Sequence, residues 1–162
     1  MPDEKKFQQL IDKIKKLQAS GNYDLSLEED LSIAVMNLIS LEEHFFLTSQ
    51  KTGKSDYLDL LQQTREIRKA LLAKMIPQHE GETWCITKHL LAATMRLIEV
   101  GTKYQTDGKN QEADTSFTQA YKIYSLFWAV RLKLLNLKDI KKVVKPVSVD
   151  DLVNQLVDCC QE

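Results

Sequence analysis

A few carboxylates, histidines and cysteines set within apolar helical patterns are the residues best suited to chemistry. Glu42 interrupts an apolar seam and His89 lies at the edge of another, which makes them the strongest candidate metal ligands. Cys85 and His89 are four residues apart, the spacing of half a zinc site or of a thiolate–imidazole pair. Neither pair has further ligands at suitable spacing, and the chain contains no Glu-x-x-His pattern of dinuclear helical bundles. The sequence therefore predicts no metal site and no cofactor.

Catalytic signatures give no further candidate. The chain has no glycine-rich phosphate loop, no Gly-x-Ser-x-Gly and no His-Glu-x-x-His. We therefore predict no catalytic or cofactor-binding residues.

Glu42 has a second interpretation as the partner of Arg68. Counting outwards from the turn at Gly53 brings the two side chains within about one helical turn of each other. Because a buried carboxylate needs a partner, the sequence predicts a structural Glu42–Arg68 ion pair that fixes the register of two helices. An anionic-ligand site built on Arg68 is the functional alternative.

Helices must position these residues, because apolar residues recur at helical spacing almost throughout the chain. The pattern predicts helices over about residues 3–19, 26–49, 55–75, 82–105, 110–135 and 150–158, with Ser26, Ser55 and Asn110 as N-caps. The second to fifth helices are long and joined by short turns, so neighbours should run antiparallel. The predicted fold is all-α, an antiparallel up-and-down bundle of four long helices with a shorter helix at each end. An open array of stacked hairpins is the alternative.

Composition divides the chain into three parts: a helical bundle domain at 1–135, a basic linker at 136–147 and a C-terminal amphipathic helix at 148–162. The lysine-rich and apolar residues near the C-terminus are predicted to make interactions. They are Arg131, Lys138, Lys141, Lys142, Lys145, Leu152 and Leu156. The C-terminal helix is too short to fold alone, so it should dock on its own bundle, on a second copy or on a partner.

Small and aromatic residues have a distinctive spacing in the predicted fourth and fifth helices. They are Gly101, Tyr104, Gly108, Ala113, Phe117 and Ala120. Gly101 and Ala120 are small enough for the two helices to approach closely, with Tyr104 and Phe117 beside them, and Gly108 allows the tight turn. The segment at about 94–127 resembles a single tetratricopeptide-type helical hairpin. That resemblance implies a module that holds other proteins.

Overall charge, hydropathy and cysteine content indicate which partners and which compartment to expect. The chain has 22 basic and 23 acidic residues, so its formal net charge is −1. Such a charge gives no overall electrostatic attraction to nucleic acid or to an anionic membrane. No run of about 18 apolar residues predicts a membrane span. Three cysteines, two of them adjacent, make a poor disulfide framework and indicate a reducing cytoplasm.

The sequence as a whole predicts a small cytoplasmic helical protein-interaction or adaptor module that is not an enzyme. Its expected partner is another protein or a second copy, with no membrane. A nucleic-acid accessory protein using the basic 131–145 segment is one alternative, although no aromatic residues interleave with its lysines. A metal- or small-ligand-binding helical-bundle enzyme is the other.

Overall fold

The computed structural model describes residues 4–21, 25–77 and 81–133, which form five α-helices. They are α1 (Glu4–Ala19), α2 (Leu25–Thr52), α3 (Asp56–Ala73), α4 (Glu82–Thr106) and α5 (Asn110–Arg131). No β-strand occurs within these three ranges. The predicted all-α bundle is therefore confirmed.

The four long helices pair into two antiparallel hairpins, α2 with α3 and α4 with α5. Gly53 and Gly108 lie in the two turns with φ values of 69° and 73°, a conformation that glycine adopts without strain. The hairpins meet mainly through α2 and α4, and α1 lies against α5. The exact up-and-down order of a closed bundle stays a prediction.

The core lies between the hairpins, at the end away from the two turns. It joins the first half of α2, the end of α3, the start of α4 and the end of α5. Its buried members are Val35, Met36, Leu72, Met75, Ile76, Trp84, Cys85, Leu91 and Phe127. Each large apolar side chain buried here contributes about 1.5–3 kcal/mol relative to exposure. This core holds the two hairpins together.

A close contact between Gly101 and Phe117 defines the packing of α4 on α5. A Cβ atom at Gly101 would lie 2.6 Å from Cε1 and 2.7 Å from Cδ1 of Phe117. Ala113 and Ala120 are buried in the same interface. The expected close approach at Gly101 is present, but the ring of Phe117 lies directly against the glycine, where the sequence placed it to one side.

The predicted N-caps differ from the structure. Helix α2 begins at Leu25, so Ser26 lies inside its first turn. Ser55 precedes α3 but has helical dihedral angles (φ −69°, ψ −22°) and makes no capping hydrogen bond, because a capping side chain needs an extended backbone. Asn110 is already the first residue of α5.

The predicted linker at 136–147 and C-terminal helix at 148–162 lie outside the described residues. The same holds for six of the predicted interaction residues. They are Lys138, Lys141, Lys142, Lys145, Leu152 and Leu156.

Candidate interaction surface

The Glu42–Arg68 ion pair fixes how α2 lies against α3. Nε of Arg68 donates to Oε1 of Glu42 at 2.8 Å, and its Nη2 donates to Oε2 at 3.3 Å. Such two-point contacts are the geometry that guanidinium and carboxylate groups favour. The structure thus brings together the two residues that the sequence paired. Because Arg68 is only 1% exposed and already engaged by Glu42, it is poorly placed to bind an anionic ligand from solvent.

This pair also shows which way the neighbouring side chains point. Leu41 and Ile67 each precede a member of the pair by one residue, and each is therefore rotated about 100° from it. Since the helices are antiparallel, these rotations turn Leu41 and Ile67 to the same side of the hairpin. Glu43 is rotated the opposite way, and its Oε2 lies 3.9 Å from Nε of Arg96 in α4. Leu41 and Ile67 therefore point away from the second hairpin.

The side that carries Leu41 and Ile67 is an exposed apolar surface, which we call the outer face. Its most exposed members are Leu27 and Leu41 of α2 and Leu60 and Ile67 of α3, each between 38% and 57% exposed. Half-buried apolar residues lie along the seam between them. They are Ala34, Leu38, Phe45 and Leu71. Large apolar side chains exposed together on one side of a hairpin are typical of interaction sites.

The hydropathy of α2 agrees with this exposure. Among the described residues, α2 is the one helix long and apolar enough to cross a membrane by length and composition, with a mean hydropathy of 1.2 over 18 residues. The sequence predicted no membrane-spanning segment. Only 17% of that window is buried, so α2 carries more apolar surface than α3 and α4 cover. Length and composition alone are weak evidence for a membrane span.

A cavity of about 190 Å³ lies on another side of the molecule, between α1, α2 and α5. Aromatic side chains form much of its wall, together with one lysine and one glutamate. The lining residues are Ile11, Lys15, Leu25, Glu29, Tyr121, Tyr124, Ser125 and Trp128. Tyr121 is largely exposed at this site, whereas most aromatic residues of α5 pack inwards.

The hydroxyl of Tyr124 reaches from this cavity to α2. Ser32 donates to the carbonyl oxygen of Glu29 at 2.7 Å, so the hydroxyl of Tyr124 is the donor in its 2.6 Å bond to Ser32. Burial raises the pKa of Tyr124, and the negative charges of Glu29 and Asp30 act in the same direction. Tyr124 therefore remains a neutral donor at neutral pH and ties α5 to α2.

A second ion pair joins the end of α5 to the start of α2. Nη2 of Arg131 donates to Oε1 of Glu28 at 2.7 Å, and both side chains are mostly buried. Arg131 was predicted to make interactions; within the described part of the chain it is engaged by Glu28. Glu28 was not predicted as its partner, because residues 103 positions apart share no local pattern. The pair places the end of α5 beside the first turn of α2.

Among the described residues, the predicted metal candidates have no supporting ligands. Glu42 is bound to Arg68, and His89 is exposed on α4. Cys85 is buried in the core. Within residues 4–21, 25–77 and 81–133, no group of three or more His, Cys, Asp or Glu side chains is placed to hold a metal ion.

Comparisons with known proteins identify no relative: no family model, curated protein or solved structure matches this chain. The resemblance of residues 94–127 to a tetratricopeptide-type hairpin therefore stays a prediction.

Proposed function

We propose that this protein is a cytoplasmic, non-enzymatic helical interaction module that binds an apolar helix of a partner protein on its outer face. The observation that supports the proposal is the exposure of Leu27, Leu41, Leu60 and Ile67 on one side of the α2–α3 hairpin. The resemblance of the α4–α5 hairpin to a protein-binding repeat agrees with this function.

Two antiparallel helices with apolar residues along their seam form a shallow groove that suits a third helix. The apolar residues of α2 that lead into this groove are spaced by fours and threes. They are Leu27, Leu31, Ala34, Leu38, Leu41 and Phe45. Completing the burial of four half-exposed leucine or isoleucine side chains would contribute roughly 3–6 kcal/mol before the entropy cost of association. This gross gain is about the size of the lower estimates of that cost, so the complex should be weak and reversible.

The two alternative functions have less support. In the nucleic-acid alternative, Arg131 belongs to the basic segment but is engaged by Glu28, and residues 134–145 lie outside the described ranges. In the metal-enzyme alternative, Glu42 and His89 have no third ligand among the described residues. No observation favours either over the interaction module.

A photo-crosslinking amino acid at position 67, incorporated in host cells, tests the proposal. The matched control carries the same group at position 115, because Thr115 is exposed on α5. We expect a distinct protein to crosslink from position 67 and not from position 115. Leu41→Asp should abolish that crosslink, whereas Thr115→Asp should leave it intact. Equal labelling from both positions, or crosslinks only to copies of the same chain, would refute a heterologous partner on this face.

A further inference from the structure

We infer that the chain's own residues 148–162 cover the outer face when no partner is bound. This inference rests on the proposed function, because it assigns a competing occupant to the same face. A partner would then bind the outer face only after displacing this segment.

The first observation is where the described chain ends. The Arg131–Glu28 ion pair holds the end of α5 against the first turn of α2. Lys133, the last described residue, follows two positions later. Leu27, an exposed member of the outer face, adjoins Glu28. The remaining chain therefore starts at one end of the outer face.

The length of the remaining chain is sufficient. Fourteen residues, 134–147, separate Lys133 from the segment, and they can span up to about 46–50 Å. The outer face from Leu27 to Leu41 covers fourteen residue steps of helix, or about 21 Å. The segment can therefore reach any part of this face.

Three stretches of sequence share one apolar spacing, four then three then four residues. In α2 the positions are Leu27, Leu31, Ala34 and Leu38. In α3 they are Leu60, Thr64, Ile67 and Leu71, of which the buried Thr64 is polar. In the C-terminal segment they are Val149, Val153, Leu156 and Cys160. Helices that repeat this spacing pack side by side through knobs and holes. The segment thus has the pattern of a third helix for the groove that α2 and α3 form.

Charge supports the same placement. Residues 148–162 contain four acidic residues and no lysine or arginine. Lys74, exposed near the end of α3, lies seven residues after Ile67 and so on the same side of the helix. Asp30 lies on the α2 edge of the face. At the end of the face where α3 ends and α2 begins, the acidic segment is therefore drawn towards α3 and away from α2.

Covalent attachment favours this segment over a second copy. A tethered segment that reaches its site acts at an effective concentration on the order of millimolar. A free competitor at micromolar concentration must bind roughly 1,000-fold more tightly to displace it. The tethered segment is therefore displaced only by a partner that binds the outer face with much higher affinity.

Disulfide trapping in the full chain tests the contact. Ile67→Cys places a thiol on the outer face, within reach of Cys159 and Cys160 if the segment docks there. Thr115→Cys is the matched control on α5, and Cys85 is buried and shielded from the oxidant. After mild oxidation of dilute protein, peptide mapping should show an intramolecular disulfide from position 67 to residue 159 or 160. The inference is overturned by equal trapping in the control, by 67–67 dimers alone, or by no disulfide.

An apolar dye distinguishes failure of this inference from failure of the proposed function. Leu152→Asp with Leu156→Asp in the full chain should release the segment, raising 8-anilinonaphthalene-1-sulfonate fluorescence several-fold and abolishing the disulfide. Asn154→Asp with Gln155→Asp adds the same charge to polar positions and should change neither. Strong dye binding in the unmodified chain, unchanged by the leucine substitutions, overturns the inference but leaves the face open to a partner. A disulfide without any photo-crosslinked partner supports this inference and refutes the proposed function.

Discussion

The contact between Gly101 and Phe117 allows a sharp test of how α4 packs on α5. Gly101→Ala adds one methyl group at a buried point inside α4. That methyl would lie 2.6–2.7 Å from two ring carbons of Phe117, closer than side-chain atoms approach one another. The ring must therefore move, or the two helices must separate.

Two opposing contributions set the magnitude. Alanine is a better helix former than glycine, which stabilises α4 by about 1 kcal/mol. Overpacking at a close helix contact costs about 1–3 kcal/mol. We therefore expect Gly101→Ala to lower the free energy of unfolding by about 1 kcal/mol. Phe117→Val removes the ring atoms in contact, and in that background the same substitution should instead stabilise the protein by about 0.5–1 kcal/mol.

A double-mutant cycle measures this change of sign. Urea unfolding followed by circular dichroism gives the free energy for the parent, both single variants and the double variant. Thr102→Ala is the control, because Thr102 is exposed next to Gly101 and its effect should be equal in both backgrounds. If Gly101→Ala stabilises the parent as much as it stabilises the Phe117→Val variant, the close approach inferred here is wrong.

Three further predictions concern the polar contacts between helices. Arg68→Ala should destabilise the protein by ~3–5 kcal/mol, which is more than the double variant that also carries Glu42→Ala, because only the single variant leaves a mostly buried carboxylate unpaired. Urea unfolding measures the two free energies, and additive effects of the two substitutions would contradict the pairing. Tyr124→Phe should lower the free energy of unfolding by about 1 kcal/mol. Ser32→Ala should lower it by more, because it leaves the hydroxyl donor of Tyr124 without its acceptor. Equal losses would contradict the assignment of Tyr124 as the donor. Because the pKa of Tyr124 is raised by burial, the unfolded chain ionises first, so stability should fall as pH rises above about 10, and less so in Tyr124→Phe.

Local patterns predicted those parts of the fold that depend on nearby residues. Helical periodicity and glycine turns are local, and they located α1 to α5 within a few residues. The Glu42–Arg68 pair was also accessible, because both residues can be counted from one tight turn at Gly53. Gly101 was identified for a similar reason, since a small residue near the Gly108 turn marks a close helix approach.

Contacts between hairpins were not accessible from such counting. Ser32 and Tyr124 are 92 residues apart, and Glu28 and Arg131 are 103 residues apart. Which residues meet depends on how one hairpin is rotated against the other, and periodicity does not specify that rotation. An acidic residue in the first turn of α2 gave no signal that its partner lies at the end of α5.

The outer face was missed because an apolar stripe does not reveal whether anything covers it. In α2 the width of the apolar stripe did indicate a second covered side. Leu27 and Leu41 extend the apolar surface beyond the seam that Val35 and Leu38 form. A helix with one neighbour needs a single stripe, whereas a helix between two layers needs a wider one. Helix α2 has the wider pattern, with the second hairpin on one side and, on the other, an outer face that the described helices leave exposed. The first hairpin therefore has the apolar pattern of an interior layer, and this pattern is the basis for our proposal that a further helix covers its outer face.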